Sequence, residues 1–289
     1  MTRVSVGIVA NPASGRDIRR LVAGASVFGN TEKGSMVYRV LVGLGAVGVD
    51  RALLMPAGPA IGEGLGGQLR GNAWKGEGAQ RLPEVQVLDM VLCGDARDTT
   101  RAVAEMRRQG VAALVVLGGD GTNRAVAQAC GEVPVCSLST GTNNAFPELR
   151  EATISGLAAG LVAARRSTGC LRREKVLRVA VNGDRGAGCA LVDVAVCAER
   201  FVGARALWRA ADVSQVFVAF ASPAATGFSG LAGLLQPVPR SADFGLHLTL
   251  GDPALAPTTL RVPLAPGLME AIGVLEAQRL APGRPVELA

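Results

Sequence analysis

The sequence predicts an α/β protein: a doubly wound, Rossmann-like parallel-sheet domain over residues 1–149, then a β-rich, β-sandwich-like domain over 150–289. Three observations carry this expectation. The chain is 289 residues long, and domains usually run roughly 100–200 residues. Up to about residue 149, apolar runs suited to strands buried on both faces alternate with helical patterns, as in a sheet wound from strand–helix units. After about Gly169 the rhythm changes to short strands punctuated by Pro and Gly, with a strong hairpin signal at Asn182-Gly183-Asp184.

Val4 to Ala10 reads as the first buried strand and runs directly into Asn11-Pro12-Ala13-Ser14-Gly15-Arg16-Asp17, a turn whose Asn, Ser and Arg side chains suit phosphate. A helix is expected from Lys33 to Gly48, with Met36, Val40, Leu41, Leu44 and Val47 at helical spacing, and a second strand from Arg51 to Pro56. The glycine-heavy stretch Gly58–Glu77 reads as either a weak helix or a long loop, and Val85–Asp89 as a third strand. Asp98 is the expected cap of a helix whose inner face is Ala102, Val103 and Met106 and which Gly110 closes.

The next strand, Ala112–Leu117, holds no polar residue and ends in Gly118-Gly119-Asp120-Gly121-Thr122-Asn123. Its glycines permit positive φ and the close approach of a backbone or a phosphate. Thr122 or Asn123 is the expected cap of the helix that continues through Ala129. A strand, a glycine turn and a helix N-terminus together make an anion site. Pro134–Leu138 is the following strand, and it leads into a third polar turn, Ser139 to Pro147. In a parallel sheet the three turns all fall at the carboxyl edge, where ligands bind. In the second half, strands are expected at Val176–Val181, Gly188–Cys197, Phe244–Leu250 and Leu260–Leu264, with helical patterns near Phe201–Val218.

Hydrophobic residues make up 49% of the chain and aromatics only 3%, so the cores are built from Ala, Val and Leu. The net charge of +6 suits phosphate-bearing ligands, but one Tyr and two Trp offer little base stacking, and no nucleic-acid module is visible. The six cysteines lack C-x-x-C spacing and read as buried thiols of a reducing cytoplasm, with no metal-ligand set among them. No signal peptide is visible. Val213 to Pro239 carries no charge, yet its Gly, Pro, Ser and Thr content dilutes it too far for a membrane span, so no integral membrane segment is expected.

The only histidine, His247, sits in an alternating strand-like segment away from any nucleophile elbow. General-base chemistry therefore falls to a carboxylate, and Asp120 is the candidate best placed among backbone donors. A carboxylate beside bound phosphate costs about 4 kcal/mol per unit-charge pair at 4 Å and an effective dielectric near 20. A loop that only bound phosphate would avoid that cost. An enzyme tolerates it where the acid positions a hydroxyl or a metal offsets the repulsion.

Gly118-Gly119-Asp120-Gly121-Thr122 matches the Gly-Gly-Asp-Gly-Thr signature shared by NAD kinases and the diacylglycerol/sphingosine lipid kinases. Asn11-Pro12-Ala13-Ser14-Gly15 resembles the lipid-kinase Asn-Pro-x-Ser-Gly turn, and Gly141-Thr142-Asn143-Asn144-Ala145-Phe146 resembles that branch's Gly-Thr-x-Asn-Asp-Phe. Val9 through Val22 looks most like the ATP-NAD kinase-like proteins encoded with acetoin catabolism. The resemblance implies ATP as donor, Mg²⁺ or another divalent ion, and a substrate hydroxyl, that of NAD among others, as acceptor. It implies Asp120 as the base. It also implies a nucleotide site drawn from Asn11, Ser14, Gly15, Gly118, Gly119, Gly121, Thr122, Asn123, Gly141, Thr142 and Asn144, in a cytoplasmic protein of a superfamily in which homo-oligomers are common. Ser222–Gly233 loosely resembles the Thr-Pro-Thr-Gly-Ser-Thr stretch of NAD kinases, and it reads equally well as a buried loop of small residues. The chain lacks the Asn-Glu of NAD kinases and the later Asp-Gly-Glu of lipid kinases, and Ala145 stands at the lipid-kinase Asp position. Asp193 or Glu199 could supply a further carboxylate. Three functions stay open: NAD-type kinase, lipid or other hydroxyl kinase, and a non-catalytic nucleotide-binding accessory of acetoin catabolism.

Overall fold

A computed structural model describes residues 3–15, 28–167, 171–181, 184–198, 207 and 209–288, which fall into two compact units. Of the described residues, the first unit holds 3–15, 28–141 and 146–171, and the second 142–145 and those from 172 onward.

The first unit is built on a five-stranded sheet, β1 (Ser5–Ala10), β2 (Arg51–Leu54), β3 (Glu84–Val87), β4 (Ala113–Gly118) and β5 (Val135–Ser139), in the order β3-β2-β1-β4-β5. Every pairing is parallel. Strands β1 and β4 lie at its centre and are buried along their whole length. Alternation sends Val6, Ile8, Val115 and Leu117 to one face and Val9, Leu114 and Val116 to the other, so each face needs a helical cover.

On the first face that cover is α1 (Asn30–Ala46), α2 (Pro59–Ala73) and α5 (Ala152–Ala163); on the second it is α3 (Ala96–Arg108) and α4 (Asp120–Ala127). The glycine-heavy stretch after Gly58 is thus a helix. One of its glycines serves packing: a Cβ on Gly64 would come within 2.6 Å of the Thr31 carbonyl on α1. Helix α5, just past the expected boundary at 150, is packed on α1 in this unit.

Two expected helix caps are corrected. Helix α3 is capped by Asp95, whose carboxylate accepts from the Arg97 amide at 2.8 Å. Asp98, the expected cap, sits in the first turn, buried, and accepts from the Cys93 and Gly94 amides at 2.8 and 2.7 Å. It carries out the same task one turn on, by ordering the loop that enters the helix. Helix α4 starts at Asp120 with Gly119 as its N-cap, one turn earlier than a Thr122 or Asn123 cap would give.

The second unit contains the hairpin β6 (Leu177–Val181) and β7 (Asp184–Ala190), paired antiparallel as expected, with Asn182 and Gly183 outside the described residues. Its main sheet is antiparallel: β8 (Asp193–Cys197), β9 (Val213–Val218), β10 (Gly245–Gly251), β11 (Thr258–Ala265) and β12 (Leu268–Leu280), ordered β11-β12-β10-β9-β8. The expected helical pattern ending at Val218 is corrected to strand β9, the earlier part of that stretch falling largely outside the described residues. Periodicity cannot separate a short apolar strand from a helix turn, and here pairing to β8 and β10 decides.

The charge-free segment supplies β9 and the eight-residue helix α6 (Phe228–Leu235), which packs on the sheet through Phe228, Leu231 and Ala232. No helix among the described residues is long and apolar enough to cross a membrane. Cys93 is exposed and Cys130, Cys136, Cys189 and Cys197 are half-buried, so none is sealed in a core as expected; Cys170 lies outside the described residues.

Candidate functional site

The chain runs from β1 outward to β2 and β3, then returns to lay β4 against the other side of β1. The direction of winding reverses there, and at such a reversal the loops leaving the two strands diverge and open a crevice at their carboxyl ends. The loop leaving β1 is Asn11–Gly15, and the one leaving β4 begins at Gly118. Strand β5, next to β4, delivers Ser139 and Thr140 to the same edge.

The structure brings these three turns together. Asn11 Nδ2 donates to Thr122 Oγ1 at 2.8 Å, and Ser14 Oγ lies 2.9 Å from Thr140 Oγ1. The first turn is internally tied by Asn11 Oδ1, which accepts from the Ala13 amide at 2.8 Å, and it closes on Gly15 at φ 88°. Asn123 is buried, donating to the Gly119 carbonyl at 3.0 Å and accepting from Ser137 Oγ at 2.6 Å, which pins the start of α4 to β5.

The glycines of the second turn work differently from expectation. None of Gly118, Gly119 and Gly121 has positive φ. A Cβ on Gly118 would lie 2.5 Å from the Thr122 Cβ, so this glycine is needed for close approach of its own helix. A Cβ on Gly121 would meet nothing within 4 Å. Asp120, the first residue of α4, is half-buried, and its Oδ1 accepts from the Phe146 amide at 2.9 Å. Its negative charge is favourable at a helix N-terminus.

Of the remaining candidates, Gly141 ends its stretch of the first unit, whereas Thr142 and Asn144 belong to the second. In that unit Asn143 Oδ1 accepts from Thr226 Oγ1, and Arg240 donates to the Ala145 carbonyl at 2.8 Å while stacking over the Phe220 ring at 4.3 Å. Thr226 falls in the Ser222–Gly233 stretch singled out in the sequence, but Arg240 escaped notice. So did Lys33, a wholly buried lysine whose Nζ donates to the carbonyls of Asn11 at 3.1 Å and Ser14 at 2.9 Å. Its signal was the spacing Lys33–Met36–Val37–Val40, which puts a cation on the apolar stripe of α1.

His247 stacks on Phe217 with ring centroids 4.3 Å apart and lies 2.7 Å from Gln215 Oε1. Burial pushes its pKa below the ordinary histidine value, against the opposing pull of Glu276. Asp193 opens β8, paired to Val218, and Glu199 lies outside the described residues.

Residues 6–166 match the ATP-NAD kinase N-terminal domain model, and residues 175–289 match the acetoin catabolism protein X C-terminal domain model. The chain is 45% identical over 286 residues to acetoin catabolism protein X of Cupriavidus necator, covering 97% of this chain and 79% of that protein. It belongs to the ATP-NAD kinase-like family, in the acetoin catabolism X branch. A solved structure of a candidate diacylglycerol kinase from Bacillus anthracis str. Sterne is similar at 15% identity and a TM-score of 0.39, covering 86% of this chain and 74% of that one. All three turns of the first unit, through Gly141, lie inside the span of the ATP-NAD kinase model.

Proposed function

We propose that the protein is an ATP-dependent phosphotransferase whose acceptor is a hydroxyl of NAD or a related molecule. The observation that carries this reading is Asp120. It is a carboxylate fixed by the Phe146 amide at the start of α4, within a turn tied to the Asn11–Gly15 turn by the 2.8 Å bond between Asn11 and Thr122. Backbone at Gly118–Thr122, with Asn11, Ser14 and Gly15, would hold the donor phosphates, and Asn123 holds the helix start in place. Gly141 completes the proposed nucleotide-binding set of the first unit.

In the transfer the acceptor oxygen bonds to the terminal phosphorus as the bond from that phosphorus to the bridging oxygen breaks. The acceptor's proton passes to the Asp120 carboxylate, and ADP leaves. Orientation by the Phe146 amide keeps Asp120 from swinging toward solvent, so the base is positioned before the acceptor arrives. The donor set fits a divalent ion in part. Among the described residues no group of three His, Cys, Asp or Glu could hold a metal alone, but Mg²⁺ commonly takes one or two carboxylates and completes its shell with phosphate and water. With Asp120 kept as the base, phosphate oxygens and water would hold the ion, which would offset charge on the phosphates.

The same reading places the protein in the cytoplasm, where ATP and NAD are available. A second reading, a nucleotide-binding accessory of acetoin catabolism without transfer activity, is favoured by the missing Asn-Glu dipeptide and by Ala145. One pair of experiments separates them. A thermal-shift screen with ATP, ADP, NAD and NADP, with and without Mg²⁺, should show stabilisation of about 2.7 kcal/mol at 100 times the dissociation constant. Transfer of labelled terminal phosphate to NAD should follow, and Asp120→Ala should lower its rate by about 10²–10⁴-fold with folding unchanged. ATP binding with no transfer to NAD, lipid or any hydroxyl would select the accessory reading.

A further inference from the structure

Lys33 has no part in the transfer described above, and its position is costly. It is 0% exposed, in the first turn of α1, on the stripe shared with Met36, Val37 and Val40. Burying an ammonium group costs several kcal/mol unless oxygen acceptors replace its water. A residue needed only to fill space there could be Met or Leu. The acceptors of Lys33 among the described residues include Asn30 Oδ1 at 3.1 Å within the helix and the backbone carbonyls of Asn11 at 3.1 Å and Ser14 at 2.9 Å. Both carbonyls belong to the turn leaving β1, and the side chains of those same two residues reach Thr122 and Thr140 in the neighbouring turns. One ammonium group therefore fixes the backbone of the two residues that tie the three turns together.

Carbonyl oxygens matter at a phosphate site because their dipoles repel the anion. Each peptide in a turn can rotate to present either its N–H or its C=O to the crevice. Two carbonyls tied to a buried ammonium cannot rotate toward a ligand. We propose that Lys33 is the positioning residue of the polyphosphate site: it acts through Asn11 and Ser14, without touching the ligand, to hold the turn in the conformation that accepts a nucleoside triphosphate. This inference rests on the phosphotransferase reading and deepens it.

The test uses the full chain and inorganic tripolyphosphate. Isothermal titration of Lys33→Met, under conditions where circular dichroism shows it folded, should give affinity weaker than wild type by about tenfold or more, as when a partner behind a direct ligand is lost. Because the variant could fail to fold, the wild type is also followed by NMR with ¹⁵N-labelled lysine. Tripolyphosphate should shift the Lys33 Nζ resonance and slow its hydrogen exchange, which a purely structural lysine would not show. A folded variant that binds within about fivefold of wild type, or an Nζ signal unmoved at saturation, overturns the role of Lys33 and leaves the phosphotransferase reading standing. A wild type that binds neither tripolyphosphate nor ATP overturns that reading, and this inference falls with it.

Discussion

Gly118 and Gly121, three residues apart in one turn, are glycines for opposite reasons. A Cβ at 118 would lie 2.5–2.7 Å from three atoms of the Thr122 side chain, while at 121 it would project into open space. Gly118→Ala should therefore push Thr122 aside, break its bond from Asn11 and lower stability by about 1–3 kcal/mol in urea unfolding. Gly121→Ala should keep or slightly raise stability, since alanine gains up to about 1 kcal/mol over glycine in a helix, yet weaken ATP binding if the proposed phosphate site is right. Unchanged ATP affinity in a folded Gly121→Ala variant would remove that position from the site. His247 offers a prediction of another kind. Burial depresses its folded pKa below 6.5, so as pH falls the unfolded chain takes up a proton first. Its contribution to stability is complete above that value and is lost below it. The melting temperature of His247→Phe, which keeps an aromatic stack on Phe217, should fall less between pH 7 and pH 5 than that of wild type; parallel curves would mean the ring titrates normally.

Helix α1 lies between α2 and α5, and glycines on both flanks let the backbones meet. A Cβ on Gly34 would come within 2.5 Å of the Ile61 carbonyl on α2, and Cβ atoms on Gly43 and Gly156 would run into the Thr153 and Val40 carbonyls across the α1–α5 contact. Gly156→Ala sets a helix-propensity gain of about 1 kcal/mol against overpacking of about 1–3 kcal/mol. The clash is with backbone, which cannot rotate away, so net destabilisation is expected in the urea midpoint; a stabilised variant would mean the helices separate freely. The same glycines explain what could be read in the sequence. β1 and β4 were legible because a strand buried on both faces is written as an unbroken apolar run. Helix α2 was ambiguous because its five glycines lower helix propensity, and the one contact that explains a glycine there, Gly64 against Thr31 of α1, shows only in the packed pair. Strand β12 has only Ile272 and Val274 as β-branched residues among Met, Glu, Ala, Leu and Gln, and its pairing to β10 and β11 overrides that composition. The three turns were legible as polar, glycine-bearing breaks. Lys33 was not, because a lone lysine usually marks a solvated face, nor was Arg240, which acts on a turn 95 residues away in sequence.

At the scale of the whole molecule, the two units have separate cores: one on both faces of the parallel sheet, the other between α6 and the antiparallel sheet. What the whole chain shares is charge. With a net +6 it would present a positive field to the proposed nucleotide before any contact forms. That field acts over a Debye length of about 10 Å at 0.1 M salt and about 3 Å at 1 M. Hydrogen bonds within the turns act at contact distance and are screened far less. Salt should therefore separate encounter from capture. Stopped-flow mixing with a fluorescent ATP analogue should show the association rate constant falling several-fold as salt rises from about 0.05 to 0.5 M, while the dissociation rate changes little. An association rate flat across that range would mean that the positive charge lies away from the approach to the turns and only keeps the chain soluble. A dissociation rate that climbed equally would mean that exposed arginines, in place of the turn backbone, hold the phosphates, and the nucleotide site would then have to be sought outside the turns that follow β1 and β4.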